Sequence, residues 1–331
     1  MKFYQILFMN TLILGTLISI SAYSWLAMWM GLEVNLLSFI PLISKNNSLS
    51  SETAFKYFIV QALSSMMILF SIIMSLNLDS MIFNSWIYLS SSAFLMKMGC
   101  APFHFWFIEI ISGLNWVNTM IILTWQKIAP MILLMFTFFS NFYLNFIICV
   151  SLFFSSFKSW NQTNLKKILA LSSMNHMSWM LSIFLLNHSI WMIYFIFYSF
   201  ITLTLTLMFK IFNLNFFMQL NNFLILNKNS KLLFFSNFLS LSGLPPFLGF
   251  FPKWLVLLSL MNKKFFFLSL MLIFFTLWMI YIYLSMMFNT LTLKISEPLY
   301  LFTLINNKIL FFLNFFNLTG LMIFSILLVY F

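Results

Sequence analysis

Arginine is absent: all 16 basic side chains are lysines. Only 6% of residues are charged, against about 25% in soluble domains, which excludes a water-soluble globular chain. The two cysteines, Cys100 and Cys149, sit in apolar runs with no metal or disulfide spacing. That excludes a disulfide scaffold, a zinc site and a cysteine-ligated iron–sulfur cluster. No glycine-rich phosphate loop is present, and the three histidines His104, His176 and His188 offer no haem pair. The chain is therefore expected to carry no redox cofactor of its own. The alternation over about ten residues that marks a β-barrel strand is also missing; the apolar runs are long and unbroken. The fold class that remains is an all-α, polytopic membrane protein.

What is present fits that class. Hydrophobic residues make up 63% of the 331 positions, with 47 Phe and 25 Met. Together with the missing arginine, this usage points to an A+T-rich coding genome of the kind found in some organelles. The net charge of +11 comes from scattered lysines rather than a basic patch, so it argues against nucleic acid and for lysines that set membrane topology. The N-terminus MKFYQIL runs straight into an apolar segment without a small-residue cleavage site, so no cleavable presequence is expected.

Runs of about 17–25 apolar residues predict eleven spans, near 3–20, 22–43, 54–76, 81–98, 116–139, 142–157, 168–186, 190–212, 232–260, 265–288 and 309–330. With the N-terminus inside, the inner segments carry ten lysines and the outer ones only Lys263 and Lys264, a bias of the kind that fixes orientation. The Asn-rich stretch 213–231 reads as an inner loop. Asp79, Glu52 and Glu297 belong to loops, His188 to an interface, and Lys56 near a span end can snorkel.

Two stretches break the apolar pattern. LSGLPPFLGFFPKW (Leu241 to Trp254) packs three prolines, two glycines and Lys253 into a span. FLMKMGCAPFHFW carries Lys97, Gly99, Pro102 and His104. The pattern Gly99-x-x-Pro102-Phe103 recurs as Gly243-x-x-Pro246-Phe247. A span broken by Gly and Pro exposes backbone groups that only a protein-lined or watered cavity satisfies. Paired breaks in the fourth span of successive groups of five suggest an internal repeat, inverted because five is odd. The domain division expected is a first half at 1–139, a second half at 142–288 and a final helix at 309–330, within one membrane domain.

Ionisable residues inside a membrane are costly and mark functional sites. Glu33 lies mid-span; it either stays protonated against a neighbouring helix or partners a lysine. Lys97 and Lys253 lie beside the breaks. Lys127, in LTWQKIAP, is mid-span with Pro130 one turn on, where a proline weakens the helix ladder. His176 either makes a helix–helix hydrogen bond or joins these groups. Glu109 reads as structural. Burial disfavours the ammonium form of a lysine and a nearby carboxylate favours it, so a carboxylate that moves or is neutralised makes a buried lysine hold or release its proton.

The stretches LEVNLLSFIPL, KYFIVQALSS, MKMGCAPFHFWFIE, LTWQKIAP, NQTNLKKILALSSMNHMSW and LSGLPPFLGFFPKW together resemble the subunit 2 family of mitochondrial NADH:ubiquinone oxidoreductase (respiratory complex I), an antiporter-like membrane subunit of invertebrate type. The resemblance covers about residues 1–290. It implies eleven helices in two inverted five-helix repeats, each with a broken helix, plus a C-terminal helix. It implies Glu33 and Lys97 as the partnered acid and lysine of the first half, Lys127 as a central relay, Lys253 as the terminal lysine, and His104 and His176 as bridging groups. It further implies the mitochondrial inner membrane with the N-terminus on the matrix side, and partners among the other membrane-arm subunits and the membrane lipid. It also implies the proton as the transported ion, with flavin, iron–sulfur clusters and quinone in other subunits. One departure stands out: Ile108 occupies a position where relatives tend to have proline, which bears on local helix geometry. Two other function classes fit the residues less well, a structural or assembly subunit without its own proton path and a free-standing cation/proton antiporter.

Overall fold

Regular structure among the described residues is helical throughout, apart from one isolated antiparallel bridge between Asn164 and Phe216. The computed structural model describes residues 3–44, 48–76, 83–137, 140–186, 188–220, 228–292 and 314–320. Among the described residues, seven helical stretches are long and apolar enough to cross a membrane, with Trp116–Met135 counted as one. Side chains such as Leu14, Leu17, Leu37, Phe55 and Met66 point outward on them, an arrangement suited to lipid. The hydroxyls of Ser64, Ser71, Ser151 and Ser172 donate to the carbonyl three residues back, so these polar groups are satisfied within their own helix, as an apolar surround requires.

The chain divides into two units, Met1–Ser151 and Leu152–Phe331. The first opens with α1 (Phe3–Ser21) and α2 (Trp25–Ile43), where Ser24 caps α2 by accepting from the Ala27 amide at 3.3 Å. Small residues let the two backbones touch: a Cβ on Gly31 would come within 2.5 Å of the Ser19 amide nitrogen, the close packing that small residues permit in membranes. Then follow α3 (Ser48–Leu76), α4 (Phe83–Met98), α5 (Phe105–Gly113), α6 (Trp116–Leu123) and α7 (Trp125–Met135). α8 (Asn141–Ser159) runs through the division.

In the second unit, α9 (Leu165–Ile183) is the central helix, buried at every residue from Ile168 to Ile183. Around it pack α10 (His188–Ile211), α12 (Phe250–Asn262) and α13 (Phe266–Thr292), while α11 (Lys228–Ser242) packs on α10 and α13. A short helical stretch, 314–320, is tied in by buried amides. Asn237 donates to Asn314 Oδ1 at 2.5 Å and accepts from Asn317, and Thr204 adds a bond to Asn237 at 3.3 Å.

Three differences from the sequence expectation have local causes. The expected single helix at 116–139 is divided at Thr124 (φ −115°, ψ −73°), whose hydroxyl bonds back to the Met120 carbonyl at 2.8 Å. Residues 105–113, left outside any expected span, form α5; the helix runs unbroken through Ile108, which is buried. The expected inner loop at 213–231 contains the bridge strand residue Phe216, a helical turn at 217–220 and, from Lys228, the start of α11. Asp79 and Glu297, and most of the expected last span, lie outside the described residues.

Candidate proton path

Both interrupted helices end in the same way. At the first break, Gly99 (φ +71°) donates to the Met96 carbonyl at 3.2 Å and Cys100 to the Leu95 carbonyl at 3.1 Å. At the second, Gly243 (φ +77°) donates to Ser240 at 3.1 Å and Leu244 to Leu239 at 3.3 Å. These are paired Schellman closures with glycine in the left-handed position, where a side chain is disfavoured. Each closure uses the carbonyls two and three positions inside the helix end and leaves the last ones for other donors.

The two breaks fill those carbonyls differently. At the first, the Lys97 carbonyl accepts from Gln61 Nε2 on α3 at 3.2 Å, and the Met96 carbonyl also takes Trp106 Nε1 at 3.1 Å. At the second, the Lys253 ammonium reaches back from the first turn of α12 to the Ser242 carbonyl at 2.7 Å and the Leu241 carbonyl at 3.3 Å. Its positive charge thus sits at the negative end of α11, the favourable end of a helix dipole. Lys253 Nζ also lies 5.8 Å from the ring centre of Trp179, within cation–π range.

All three lysines singled out by the sequence are buried: Lys97 is 7% exposed, Lys127 1% and Lys253 8%. Lys97 and Lys127 line one cavity with Tyr57, Gln61, Trp106, Phe107 and Gln126. Lys97 lines a second with Asn35, Tyr57, Gln61, Gln126 and Pro130. Each offers about 10 Å³ of space for the centre of a water molecule, roughly one water. Lys127 follows the Thr124 division, with Nζ 5.3 Å from the Phe107 ring centre. Pro130, inside α7, cannot donate to the Gln126 carbonyl.

Glu33 is half-buried on α2 and interacts electrostatically with Lys97, with no direct ion pair between them. The intervening ground is polar: Gln126 Nε2 donates to Asn35 Oδ1 at 2.9 Å. His104 is fully buried in the first break, with Nδ1 3.3 Å from the Pro102 carbonyl and its ring stacked on Phe105 at 4.3 Å. It is not among the residues lining the two cavities. His176 lies one turn before Trp179 on α9, with Nδ1 2.9 Å from the Tyr194 hydroxyl and Tyr198 at 5.1 Å ring to ring. Lys56, by contrast, is exposed and ion-paired with Glu52 at 2.9 Å and Glu109 at 3.3 Å, so Glu109 joins an exposed ion pair between α5 and α3 of little energetic weight.

Sequence reading missed Tyr57, Gln61 and Gln126 around Lys97, Asn35 near Glu33, and the aromatic faces of Phe107 and Trp179. The available signal was an uncharged amide inside an apolar span, which must find a partner.

The family model for the transmembrane region of NADH:quinone oxidoreductase and Mrp antiporter subunits matches residues 22–280. A relative from Anopheles gambiae, NADH-ubiquinone oxidoreductase chain 2, is 43% identical over 97% of both chains. Its namesake from Locusta migratoria is 37% identical over 92% of this chain and 90% of that one. Among solved structures, a chain of respiratory complex I from Thermus thermophilus superposes with a TM-score of 0.85 at 20% identity, over 97% of this chain and 78% of that one. A chain of the Mrp complex from Dietzia sp. does so with 0.74 at 12% identity, over 87% and 60%. At these identities the two structures speak for the fold alone.

Proposed function

The chain belongs to the family of NADH:quinone oxidoreductase and Mrp antiporter membrane subunits, and on that footing we propose that its buried acid, lysines and histidines carry protons through the membrane. It is a multi-pass, proton-translocating subunit of a mitochondrial NADH–ubiquinone oxidoreductase, working with partner subunits of the membrane arm. Electrons, in this reading, pass through flavin, iron–sulfur clusters and quinone held by those partners, and this chain contributes no redox centre.

The observation that carries the proposed path is the cavity shared by Lys97 and Lys127. When Glu33 is charged and near, Lys97 keeps its proton. When Glu33 withdraws or is itself protonated, the Lys97 ammonium releases a proton to a water of the size the adjoining space admits, that water passes a proton on to the neutral amine of Lys127, and Lys97 is left a neutral amine while Lys127 becomes an ammonium. In the second unit, Lys253 plays the same part, with His176 one turn from Trp179 as an associated proton-binding group; His104 in the first break belongs to the set with less structural support. Redox chemistry elsewhere drives the switch through the position and charge of Glu33.

The finer architecture in this proposal is eleven spans, halves at 1–139 and 142–288 related by inversion, a final helix at 309–330, and the N-terminus on the matrix side with lipid around the outer faces. The matching Schellman closures at Gly99 and Gly243 support the repeat, and the lysine bias supports the orientation.

The test is proton pumping per NADH oxidised by the assembled complex in liposomes, with Lys97→Met, Lys127→Met and Lys253→Met. Assembled variants that oxidise NADH without pumping support the path; three assembled variants that pump at the parental rate refute it. One observation favours the competing structural reading: Lys253 caps the end of α11. That reading predicts a Lys253→Met variant whose assembly fails and whose assembled remainder pumps normally.

A further inference from the structure

We propose that the side-chain hydrogen bond between Asn35 and Gln126 is a positioning link that makes the Glu33 helix and the Lys127 helix move as one part around Lys97. The inference rests on the proton path above. Asn35 stands two residues after Glu33 on α2, and Gln126 immediately precedes Lys127 on α7. Gln126 Nε2 donates to Asn35 Oδ1 at 2.9 Å across 91 residues of sequence. Both side chains line the cavity that Lys97 also lines.

Two features make this bond the natural lever. The first turn of α7 is loosely held by its own backbone, because the helix restarts at Trp125 after the Thr124 division and Pro130 withholds its amide from the Gln126 carbonyl. A side-chain bond in that turn therefore adds a tie to α2 that the packing of α7 on α4, α6 and α1 does not supply. On the other side, α2 is held against α1 at this level: a Cβ on Gly15 would meet the Asn35 amide nitrogen at 2.8 Å. Asn35 thus moves with the closely packed α1–α2 pair and has a buried amide, 4% exposed. An amide in an apolar span is disfavoured unless paired; the pair supplies register between two helices that each carry an ionisable residue of the path. A shift of α2 that changes the Glu33–Lys97 approach then carries Gln126, and with it Lys127, in the same step. Helix shifts of about 1–2 Å are common in such switches.

Asn35→Leu and Gln126→Leu, made singly in the complete complex, test the link by proton pumping per assembled complex in liposomes. Each is expected to slow pumping about tenfold, the scale of one lost buried hydrogen bond. The reciprocal swap Asn35→Gln with Gln126→Asn keeps two amides and their combined length, and is expected to restore most of the rate. A merely structural pair would change the amount of assembled complex and leave its pumping intact. Should leucine block assembly, Asn35→Ser and Gln126→Met break the same bond with smaller or more pliant side chains and are read identically. Single variants that assemble and pump at the parental rate overturn the link, as does a swap that assembles without restoring pumping. Lys127→Met separates the two claims. If it abolishes pumping while Asn35→Leu and Gln126→Leu do not, the link falls and the path stands; if Lys127→Met pumps normally, the path falls and the link with it.

Discussion

Gly243→Ala moves the second-unit lysine without removing it. Gly243 lies at φ +77°, and a Cβ there would sit 2.7 Å from Lys253 Cδ and 3.0 Å from Nζ. Two effects follow, and they fall on different quantities. An alanine held in the left-handed region is disfavoured by about 1–2 kcal/mol, which weakens the fold modestly. The collision itself is with the flexible end of a side chain, so the lysine moves and the backbone stays. Lys253 then gives up its bonds to the Ser242 carbonyl at 2.7 Å and the Leu241 carbonyl at 3.3 Å. Hydrogen bonds from a charged group contribute about 1.5–3 kcal/mol each. Losing the shorter one alone makes the correct placement of the ammonium rarer by roughly ten- to a hundredfold, at 1.4 kcal/mol per factor of ten. The variant is therefore expected to assemble in near-parental amounts, to oxidise NADH, and to pump at roughly a tenth of the parental rate or less. Native electrophoresis of solubilised membranes reads assembly, and a pH-sensitive dye in proteoliposomes reads pumping. An assembled Gly243→Ala complex that pumps at the parental rate would refute the claim that the placement of Lys253 matters.

Other substitutions separate backbone, amide and charge. Gly249→Ala is expected to block assembly, because its Cβ would lie 1.7 Å from the Ser240 carbonyl oxygen, a backbone atom that cannot step aside; normal amounts of complex on a native gel would refute this. Gln61→Leu leaves the Lys97 carbonyl without its 3.2 Å donor and should destabilise the subunit by about 1–3 kcal/mol, seen as a lower inactivation temperature in detergent. Tyr194→Phe keeps the ring and removes the hydroxyl 2.9 Å from His176 Nδ1; slower pumping in fully assembled complex is expected, and parental pumping would place His176 outside the path. Lys56→Met, which breaks only exposed ion pairs to Glu52 and Glu109, should leave both assembly and pumping unchanged.

The breaks were legible in the sequence because their causes are local. A glycine that must take positive φ and a proline three residues on announce a helix end to anyone reading along the chain, and both expected sites, at Gly99 and Gly243, are helix ends. The buried lysines were legible for a related reason: an amine in an apolar run is conspicuous whatever surrounds it. The division at Thr124 was not, since threonine, unlike glycine or proline, sits comfortably inside helices, and only its back-bond to Met120 and the following turn disclose it. Nor was α5, a helix of nine residues too short to register as a span.

What no reading along the chain could supply is the donor for each orphaned carbonyl, since that donor comes from a distant segment. The first break takes Gln61, 36 residues away, and the second takes Lys253 from across its own gap. The sequence does record the asymmetry, because Lys97 precedes its glycine whereas Lys253 follows its own by ten residues. The structure gives that offset a meaning. Where an amide caps the helix end, the neighbouring lysine lines the cavity with Lys127; where the lysine itself is the cap, its charge is anchored to two carbonyls. A proton leaving Lys253 therefore turns a charge-assisted cap into a weaker neutral one, whereas a proton leaving Lys97 need only reach the adjoining water-sized space. Similar breaks thus hold their amines in unlike ways, and removing Gln61 should disturb the first while leaving the second untouched.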